Sequence, residues 1–376
     1  MFKVLLLLCA IAAGPVICKK DENAAECPSK GCTISENCRC SDAPSFIGKA
    51  NLDDYPQLIS IVTDDAMKRE IHNDIWLPLI SNYQNPDGNP IICTFFVPHE
   101  YTDYSLINTL YNYGQEIAVH SITKNNLQSY WRNANESTLT QEFLGMKKIL
   151  AKFANIPEDQ IIGARTPQFQ LAGNHTIAAY RTANLSYDSS WPTLPSLPMF
   201  PYTLDYATTQ QCTLGSECPN ESFPGFWVLP INDLRDKDGN ECNVLLDCNI
   251  TGSAEHIGQW LISEVDNVRT TTKVPLTLTV NAGWFEYTEN AFEGLQYFMD
   301  EMTTNRTDVF FVSQRQVMDW TKEQTTLDLF ETFILDDFRT CTSTTCRLKK
   351  GTEDRLMQSC TPCPRIYPWL DNPEGN

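Results

Sequence analysis

Short apolar runs alternate with longer amphipathic segments along most of the chain. The apolar runs predict strands at 58–63, 91–97, 116–120, 161–164, 185–187, 226–230, 276–281 and 309–312. Most of them are continuously apolar, which is typical of strands covered on both faces. Helical spacing is found at 137–153, 254–265 and 291–302, and Thr138 with Gln141 forms a candidate capping box at the first of these. The alternation favours a (β/α) barrel or a doubly wound sheet.

The first residues form a separate pattern. A basic start, Met-Phe-Lys, precedes an apolar run from Val4 to Ala13 that is too short to span a bilayer. We interpret residues 1–18 as a secretory signal peptide, with a buried amino-terminal strand as the alternative. A Cys-rich segment at 19–45, a barrel-type domain at 46–325 and a Cys-stapled extension at 326–376 follow. No later stretch is apolar enough for a membrane span, so a soluble, secreted protein is expected.

Fifteen cysteines also fit an oxidising compartment. Without Cys9 and Cys18 of the predicted signal peptide, most lie in polar clusters, namely Cys27, Cys32, Cys38, Cys40, Cys212, Cys218, Cys242, Cys248, Cys341, Cys346, Cys360 and Cys363. Cys93 instead lies in the apolar run "IICTFFV". We expect up to six disulfides of open connectivity and a free, buried Cys93. Zinc binding by the tightly spaced "CRC" and "CTPC" is the alternative, but no His lies near either cluster.

The excess of acidic over basic residues limits the kinds of partner that the chain is expected to bind. The chain has 47 Asp and Glu residues against 28 Lys and Arg residues. This balance disfavours nucleic acid, because phosphate contacts need clustered Lys and Arg. Six Asn-x-Ser/Thr sequons, at Asn135, Asn174, Asn184, Asn220, Asn249 and Asn305, fit an exported, glycosylated surface.

Polar residues follow several predicted strands, and in β/α barrels the chemistry lies at the carboxyl ends of the strands. In chain order these residues are Asp64 and Asp65, His120, Arg165, Asp188, and Asn281 followed by Trp284. Each has an ordinary alternative role; an Asp pair, for example, is often a helix cap. The ordered set predicts a functional site at this end of the sheet.

The ordered motifs resemble those of the polysaccharide deacetylases of carbohydrate esterase family 4, and within them the arthropod chitin deacetylases. "SIVTDDA", "VHSITKN", "RTPQFQLAGN", "YDSSWPT" and "LTLTVNAGWF" are similar to the five family motifs, in that order. The resemblance covers residues 50–322, and both Cys-rich ends are similar to a short, gut-type subgroup. It implies a distorted (β/α) barrel with disulfide-tied loops and Cys-rich terminal appendages, and a zinc-type site acting on N-acetylglucosamine polymers.

The resemblance also implies a role for each matching residue. Asp64 would be the catalytic base, Asp65 and His120 metal ligands, and Arg165 the group that orients Asp64. Asp188 would be a supporting carboxylate. Residues expected to bind substrate are Pro167, Gln168, Trp191 and Trp284. Sugar stacking is a candidate role for Trp76, Trp131, Trp191, Trp227, Trp284 and Trp320, with core packing as the ordinary alternative.

Two histidines of the family pattern are replaced. The second metal-binding His is Lys124, whose ammonium has no lone pair to offer a metal. The acid His is Asn281, whose amide cannot act as a general acid near neutral pH. We expect the Lys124 ammonium to take the metal position and pair with Asp65, near Asp64, because a fixed cation relieves the repulsion between adjacent carboxylates. The alternative is that Lys124 points to solvent. Binding of zinc or a similar divalent metal is therefore predicted to be weak or absent.

Three functions fit the sequence. The first is a chitin deacetylase-like protein that binds chitin or N-acetylglucosamine polymers with lost or strongly reduced N-deacetylation. The second is an active metal-dependent deacetylase with altered ligands, and the third is a secreted matrix interaction protein that uses the barrel as a scaffold. For each we expect an extracellular monomer without nucleic-acid or membrane partners, and a chitinous gut lining is a candidate location.

Overall fold

A largely parallel sheet of nine strands forms the centre of the molecule. The computed structural model describes residues 23–212, 214–333 and 337–376, so the predicted signal peptide lies outside the described residues. The strands of this sheet are β1 (Gln57–Thr63), β2 (Thr94–Pro98), β3 (Glu116–Ser121), β4 (Gly163–Ala164), β5 (Tyr187–Asp188), β7 (Tyr202–Leu204), β8 (Phe223–Val228), β12 (Leu276–Thr279) and β13 (Val309–Phe311). Their order in the sheet is β12-β1-β2-β3-β4-β5-β8-β7, with β13 also paired to β1, and only the β7–β8 pair is antiparallel.

Three short strand pairs lie outside this sheet. Their members are β6 (Pro192–Thr193) with β9 (Ile231–Asn232), β10 (Leu234–Arg235) with β11 (Glu241–Cys242), and β14 (Thr344–Lys350) with β15 (Glu353–Ser359). The β6–β9 pair continues from β5 and β8, and Asn232 donates to the Pro275 carbonyl just before β12. This hydrogen bond links the β8 side of the curled sheet to its β12 side.

The helices connect the strands and cover the sheet. Their bounds are α1 (Arg69–Ile71), running into a π-helical turn (His72–Trp76), α2 (Leu77–Asn82), α3 (Tyr104–Asn112), α4 (Gln128–Arg132), α5 (Glu136–Phe153), α6 (Asn174–Thr182), α7 (Ala254–Thr271), α8 (Ala282–Tyr287), α9 (Ala291–Asn305) and α10 (Gln314–Glu323). The predicted capping box at Thr138 is wrong, because Asn135 caps α5 and accepts a hydrogen bond from the Thr138 N–H at 2.9 Å.

Both faces of the sheet are buried, as the continuous apolar runs predict. In β1, Ile59 and Ile61 pack in the cluster that includes the helix α5 residue Phe143, whereas Leu58 and Val62 pack in a second cluster with Trp320 of α10. The predicted fold class, a distorted (β/α) barrel with disulfide-tied loops, is confirmed.

Within residues 23–376, as far as the structure describes them, six disulfides tie the loops and the terminal segments. They are Cys27–Cys40, Cys32–Cys38, Cys212–Cys218, Cys242–Cys248, Cys341–Cys360 and Cys346–Cys363, and all lie within the predicted clusters. Cys93 is a free, buried thiol, as predicted. Among the residues that the structure describes, no helix is long and apolar enough to cross a membrane.

Gly163 is required by close packing between β4 and β5. It lies opposite Tyr187, whose ring occupies the space of a Cβ at this position and whose hydroxyl donates to Glu116 at 2.8 Å. We expect Gly163→Ala to lower the free energy of unfolding by about 1–3 kcal/mol, because the ring cannot move without losing this bond. Urea denaturation measures the loss. Gly48→Ala is the control, since nothing lies within 4 Å of its added methyl group; equal losses in the two variants would contradict the packing argument.

Candidate functional site

The carboxyl ends of the parallel strands bring the predicted polar residues to one edge of the sheet. Asp64 and Asp65 follow β1, His120 lies in β3, Arg165 follows β4, Asp188 ends β5, and Asn281 lies two residues after β12. Contacts between the loops join them into one site. A cleft of about 320 Å³ opens there, and its walls include Asp65, Tyr101, Lys124 and Ala282.

Lys124 forms the electrostatic centre of this cleft. Its Nζ lies 3.6 Å from Asp65 Oδ1 and 3.8 Å from Asp64 Oδ1, and it donates to the Asp64 carbonyl at 2.5 Å. The predicted pairing with Asp65 is therefore confirmed. The Ala282 N–H donates to the other oxygen of Asp65 at 2.5 Å, which fixes this carboxylate between a cation and the start of α8.

The two carboxylates differ in their ionisation. Burial disfavours the charge on both, but at Asp64 the nearby cations, led by Lys124, outweigh burial and lower the pKa. At Asp65 burial, helped by the Asp64 charge, keeps the pKa above its usual value despite Lys124. Of the two carboxylates beside the Lys124 ammonium, Asp64 is therefore the more readily ionised.

His120 lies beneath the cleft as a neutral imidazole. It is 1% exposed, and burial lowers its pKa to about 3. Its Nδ1 lies 2.9 Å from the Arg165 carbonyl, which can only accept, so Nδ1 carries the proton. Its Nε2 is buried and has no hydrogen-bond partner among the residues that the structure describes. The lone pair of Nε2 is therefore available for a ligand.

The residues present do not fit the three-ligand metal site of the family. His120 Nε2 and the Asp65 carboxylate are suitable donors, but the third position holds an ammonium that has only N–H groups to offer. In the part of the chain that the structure describes, only Cys27, Cys32 and Cys40 bring three candidate ligand atoms together, and these sulfurs are disulfide-bonded. The donor set therefore supplies two of the three expected ligands.

Arg165 supports the site from below but does not contact Asp64. Its guanidinium donates to the Ser189 carbonyl at 2.7 Å, the Ser189 hydroxyl at 3.0 Å and the Thr279 hydroxyl at 3.2 Å. It also stacks on the Phe96 ring, with 4.5 Å from Cζ to the centroid. These bonds use three of its five N–H groups, and its charge acts on Asp64 through space, so the expected role of Arg165 in orienting Asp64 stays a prediction.

Asp188 is fully buried and held by two neighbours. The Ser190 hydroxyl donates to one carboxylate oxygen at 2.5 Å and the Trp191 indole N–H to the other at 2.6 Å. Burial raises its pKa to about 7 in spite of these donors. Asp188 therefore positions the loop after β5 and lies under the cleft surface.

The expected substrate-binding residues divide into buried and exposed ones. Trp191 and Trp284 are 2% and 1% exposed, so their rings cannot meet a sugar, and the stacking role expected for them is corrected. The six tryptophans considered for stacking are all buried: Trp76, Trp131, Trp191, Trp227, Trp284 and Trp320. Pro167 is buried as well, whereas Gln168 is exposed and donates to the Asn126 carbonyl at 2.9 Å.

Asn281 serves as a helix cap. Its Oδ1 accepts a hydrogen bond from the Trp284 N–H at 3.0 Å and closes the amino terminus of α8. This helix supplies the Ala282 N–H that binds Asp65. The residue at the position of the family's acid thus stabilises the local fold.

Glu142 is a residue of the site that sequence reasoning missed. It lies on α5, is fully buried, and accepts bonds from the N–H groups of Ile122 and Thr123 and from the hydroxyls of Thr123 and Tyr130, at 2.5–3.0 Å. These bonds hold the loop that carries Lys124. The signal was an acidic residue within the apolar stripe of α5, between Leu139 and Phe143.

Comparison with known proteins places this geometry in a family. No family model matches the chain. It is 33% identical over 383 residues to chitin deacetylase 8 of Bombyx mori, an alignment that covers 98% of this chain and 97% of that protein. It is 29% identical over 379 residues to chitin deacetylase 1 of the same organism, covering 94% of this chain and 69% of that protein.

Solved structures also resemble the chain. One described as a polysaccharide deacetylase from Mycobacterium smegmatis is 18% identical, with a TM-score of 0.47, over 79% of this chain and 97% of that one. A probable polysaccharide deacetylase from Pseudomonas aeruginosa PAO1 is 13% identical, with a TM-score of 0.42, over 71% and 92% of the two chains. On the identity and coverage of the first Bombyx mori relative, the chain belongs to the chitin deacetylases of carbohydrate esterase family 4.

The raised pKa of Asp188 predicts a pH-dependent stability. The pKa of Asp188 in the folded state, about 7, exceeds its pKa in the unfolded state. Protonated Asp188 therefore contributes stability that is fully present below the unfolded-state pKa and is lost as the pH rises through about 7. We expect the Tm of the unaltered protein to fall relative to that of Asp188→Asn between about pH 5 and pH 8. Burial also raises the pKa of Asp233 to about 7, but Asp233 is present in both proteins, so its contribution cancels in the comparison of their Tm values. Parallel Tm profiles would contradict this ionisation.

The bonds of Glu142 predict a stability effect through the Lys124 loop. Glu142→Gln keeps one acceptor oxygen for the two N–H groups but turns an N–H₂ group toward the two hydroxyls, whose bonds must be lost or reversed, so we expect a loss of about 1–2 kcal/mol in the free energy of unfolding. Urea denaturation measures this loss. Glu136→Gln, an exposed acid in the first turn of the same helix, is the control and should change stability little. Equal stability of the two variants would show that the loop does not depend on the Glu142 carboxylate.

Proposed function

We propose that the protein is a secreted member of the chitin deacetylase family that binds chitin or N-acetylglucosamine polymers and has lost most or all metal-dependent N-deacetylation. One observation carries this proposal: the Lys124 ammonium lies within 3.6 and 3.8 Å of Asp65 and Asp64. The carboxylates that would face a metal therefore face a cation supplied by the chain itself. An incoming divalent ion would have to displace that ammonium against charge repulsion.

The position of Asn281 supports the same proposal independently. Its side chain is engaged as the cap of α8, and an amide cannot deliver a proton near neutral pH. General acid–base help contributes on the order of 100- to 10,000-fold to a reaction rate. Loss of the acid and loss of a metal ligand affect different parts of the chemistry, so neither would compensate for the other.

Secretion is proposed on the covalent features of the chain. Six disulfides need an oxidising compartment to form. The sequons at Asn135, Asn184, Asn220, Asn249 and Asn305 lie on exposed residues, as glycan attachment requires. A chitin-rich extracellular matrix, such as a gut lining, is the proposed setting.

A second candidate is an active deacetylase with an altered metal site. His120 favours it, because its buried Nε2 has no partner in the described part of the chain and would suit a ligand. In this alternative Asp65 and His120 would hold the metal after Lys124 turned away. The two candidates differ in metal content, which can be measured without any substrate.

Metal analysis of the dialysed protein tests the proposal. We expect zinc well below one ion per chain for the unaltered protein, and a clear gain for Lys124→His, because an imidazole restores the third lone pair. Lys349→His, on a side chain that is 65% exposed in the β14–β15 hairpin, is the matched control and should gain none. Stoichiometric zinc in the unaltered protein would overturn the proposed loss of metal.

Activity and binding measurements complete the test. Acetate release from an N-acetylglucosamine oligomer should be negligible for the unaltered protein, whereas Lys124→His with Asn281→His should release acetate. The loss of the α8 cap in this variant should cost about 1 kcal/mol of stability.

Retention of the unaltered protein on insoluble chitin separates a polymer-binding protein from one that uses the barrel only as a scaffold.

A further inference from the structure

The loop between β2 and α3 is anchored at nearly every position. His99 Nε2 donates to the Pro368 carbonyl at 2.9 Å, and its Nδ1 accepts from the Tyr104 hydroxyl at 2.6 Å. The Thr102 hydroxyl donates to the Pro98 carbonyl at 2.7 Å, and the Asp103 N–H to the Met67 carbonyl at 2.9 Å. The loop is therefore held from both of its ends.

A further anchor comes from the carboxyl-terminal hairpin. Glu100 pairs with Lys350 at 3.0 Å and with Arg355 at 3.3 Å, on β14 and β15. The same Lys350 lies over the ring of Trp369, which itself packs near His99. His99 and Glu100, which directly precede Tyr101, are thus fixed by a segment far away in sequence.

Tyr101 differs from its neighbours in being strained and exposed. Its φ is +69°, in the left-handed region that bulky side chains rarely adopt, and it is 69% exposed. The loops after β3 and β4 contain the same kind of strain, at Lys124 with φ +42° and Gln168 with φ +54°. Such strain persists only where the surroundings enforce it, and it is common at binding sites.

Tyr101 lines the cleft that contains Asp65 and Lys124. The ammonium of Lys68 lies 5.5 Å from its ring centroid, which steadies the ring by a cation–π contact. Tyr287 is also exposed, at 75%, but it does not line this cleft. Since Trp191 and Trp284 are buried, Tyr101 is the aromatic side chain that the cleft presents to a ligand.

We propose that Tyr101 is a stacking platform for one ring of an N-acetylglucosamine polymer whose neighbouring ring lies over Lys124 and Asp65. The inference rests on the proposed polymer-binding function. The C–H face of a pyranose is apolar, and covering it with an aromatic face removes both surfaces from water. A ring whose backbone is already fixed loses little further entropy when the sugar binds, so the anchored loop adds to affinity.

Calorimetric titration of the full chain with the soluble N-acetylglucosamine hexamer tests the platform. We expect Tyr101→Gly to weaken binding about tenfold. Its Tm should stay equal or rise, because glycine adopts a positive φ without steric cost. Tyr101→Phe keeps the ring and should retain the affinity. Tyr113→Ala is the matched control, since Tyr113 is 52% exposed and precedes β3 at the opposite end of the sheet.

The outcomes separate this inference from the function on which it rests. If the unaltered protein binds the hexamer and Tyr101→Gly binds it equally well, the platform is wrong and the proposed function stands. If the unaltered protein does not bind the hexamer, the proposed function fails and the platform fails with it. Loss of binding together with a lowered Tm in Tyr101→Gly would show that Tyr101 acts through the fold, which also overturns the platform.

Discussion

Burial of both faces of the parallel sheet is the constraint on which the rest of this structure depends. Strand residues such as Ile59 and Val62 have apolar neighbours on one side or the other, so the strands offer little room for uncompensated polar groups. Polar side chains are therefore concentrated where strands end. The common direction of β1 to β5 and β12 places those ends at one edge, and the site follows from that geometry.

Within the site, each departure from the family pattern is integrated into its surroundings. Lys124 is oriented by two carboxylates and a carbonyl, and its loop is held by Glu142 from the helix behind. Asn281 closes the helix whose first N–H binds Asp65. The replaced residues thus belong to one connected set of polar contacts. A set of this kind is more strongly coupled than its separate pairs suggest.

The sequence predicted the architecture, and which residues lie at the strand ends, better than it predicted the contacts that these residues make. Continuous apolar runs predicted the positions of β1, β3 and β12 well, because a strand that is buried on both faces consists largely of consecutive apolar residues. The partners of Arg165 could not be predicted, because Ser189 and Thr279 come from strand ends that only the folded sheet brings together. Burial of Trp191 was equally hidden, because its ring packs in the core and its indole N–H donates to Asp188, contacts that only the folded chain forms.

The anchoring of His99 by the Pro368 carbonyl has a consequence for how the molecule is made. The two residues are 269 positions apart, so the barrel strands β1 to β5 are synthesised well before the partner that fixes the loop after β2. The bonds of this loop to Met67 and Tyr104 can form early, but its bond to Pro368 cannot form until the end of the chain has been synthesised. The last anchors of this loop can therefore form only after the strands β1 to β5 have been made and the segment tied by Cys346–Cys363 has docked.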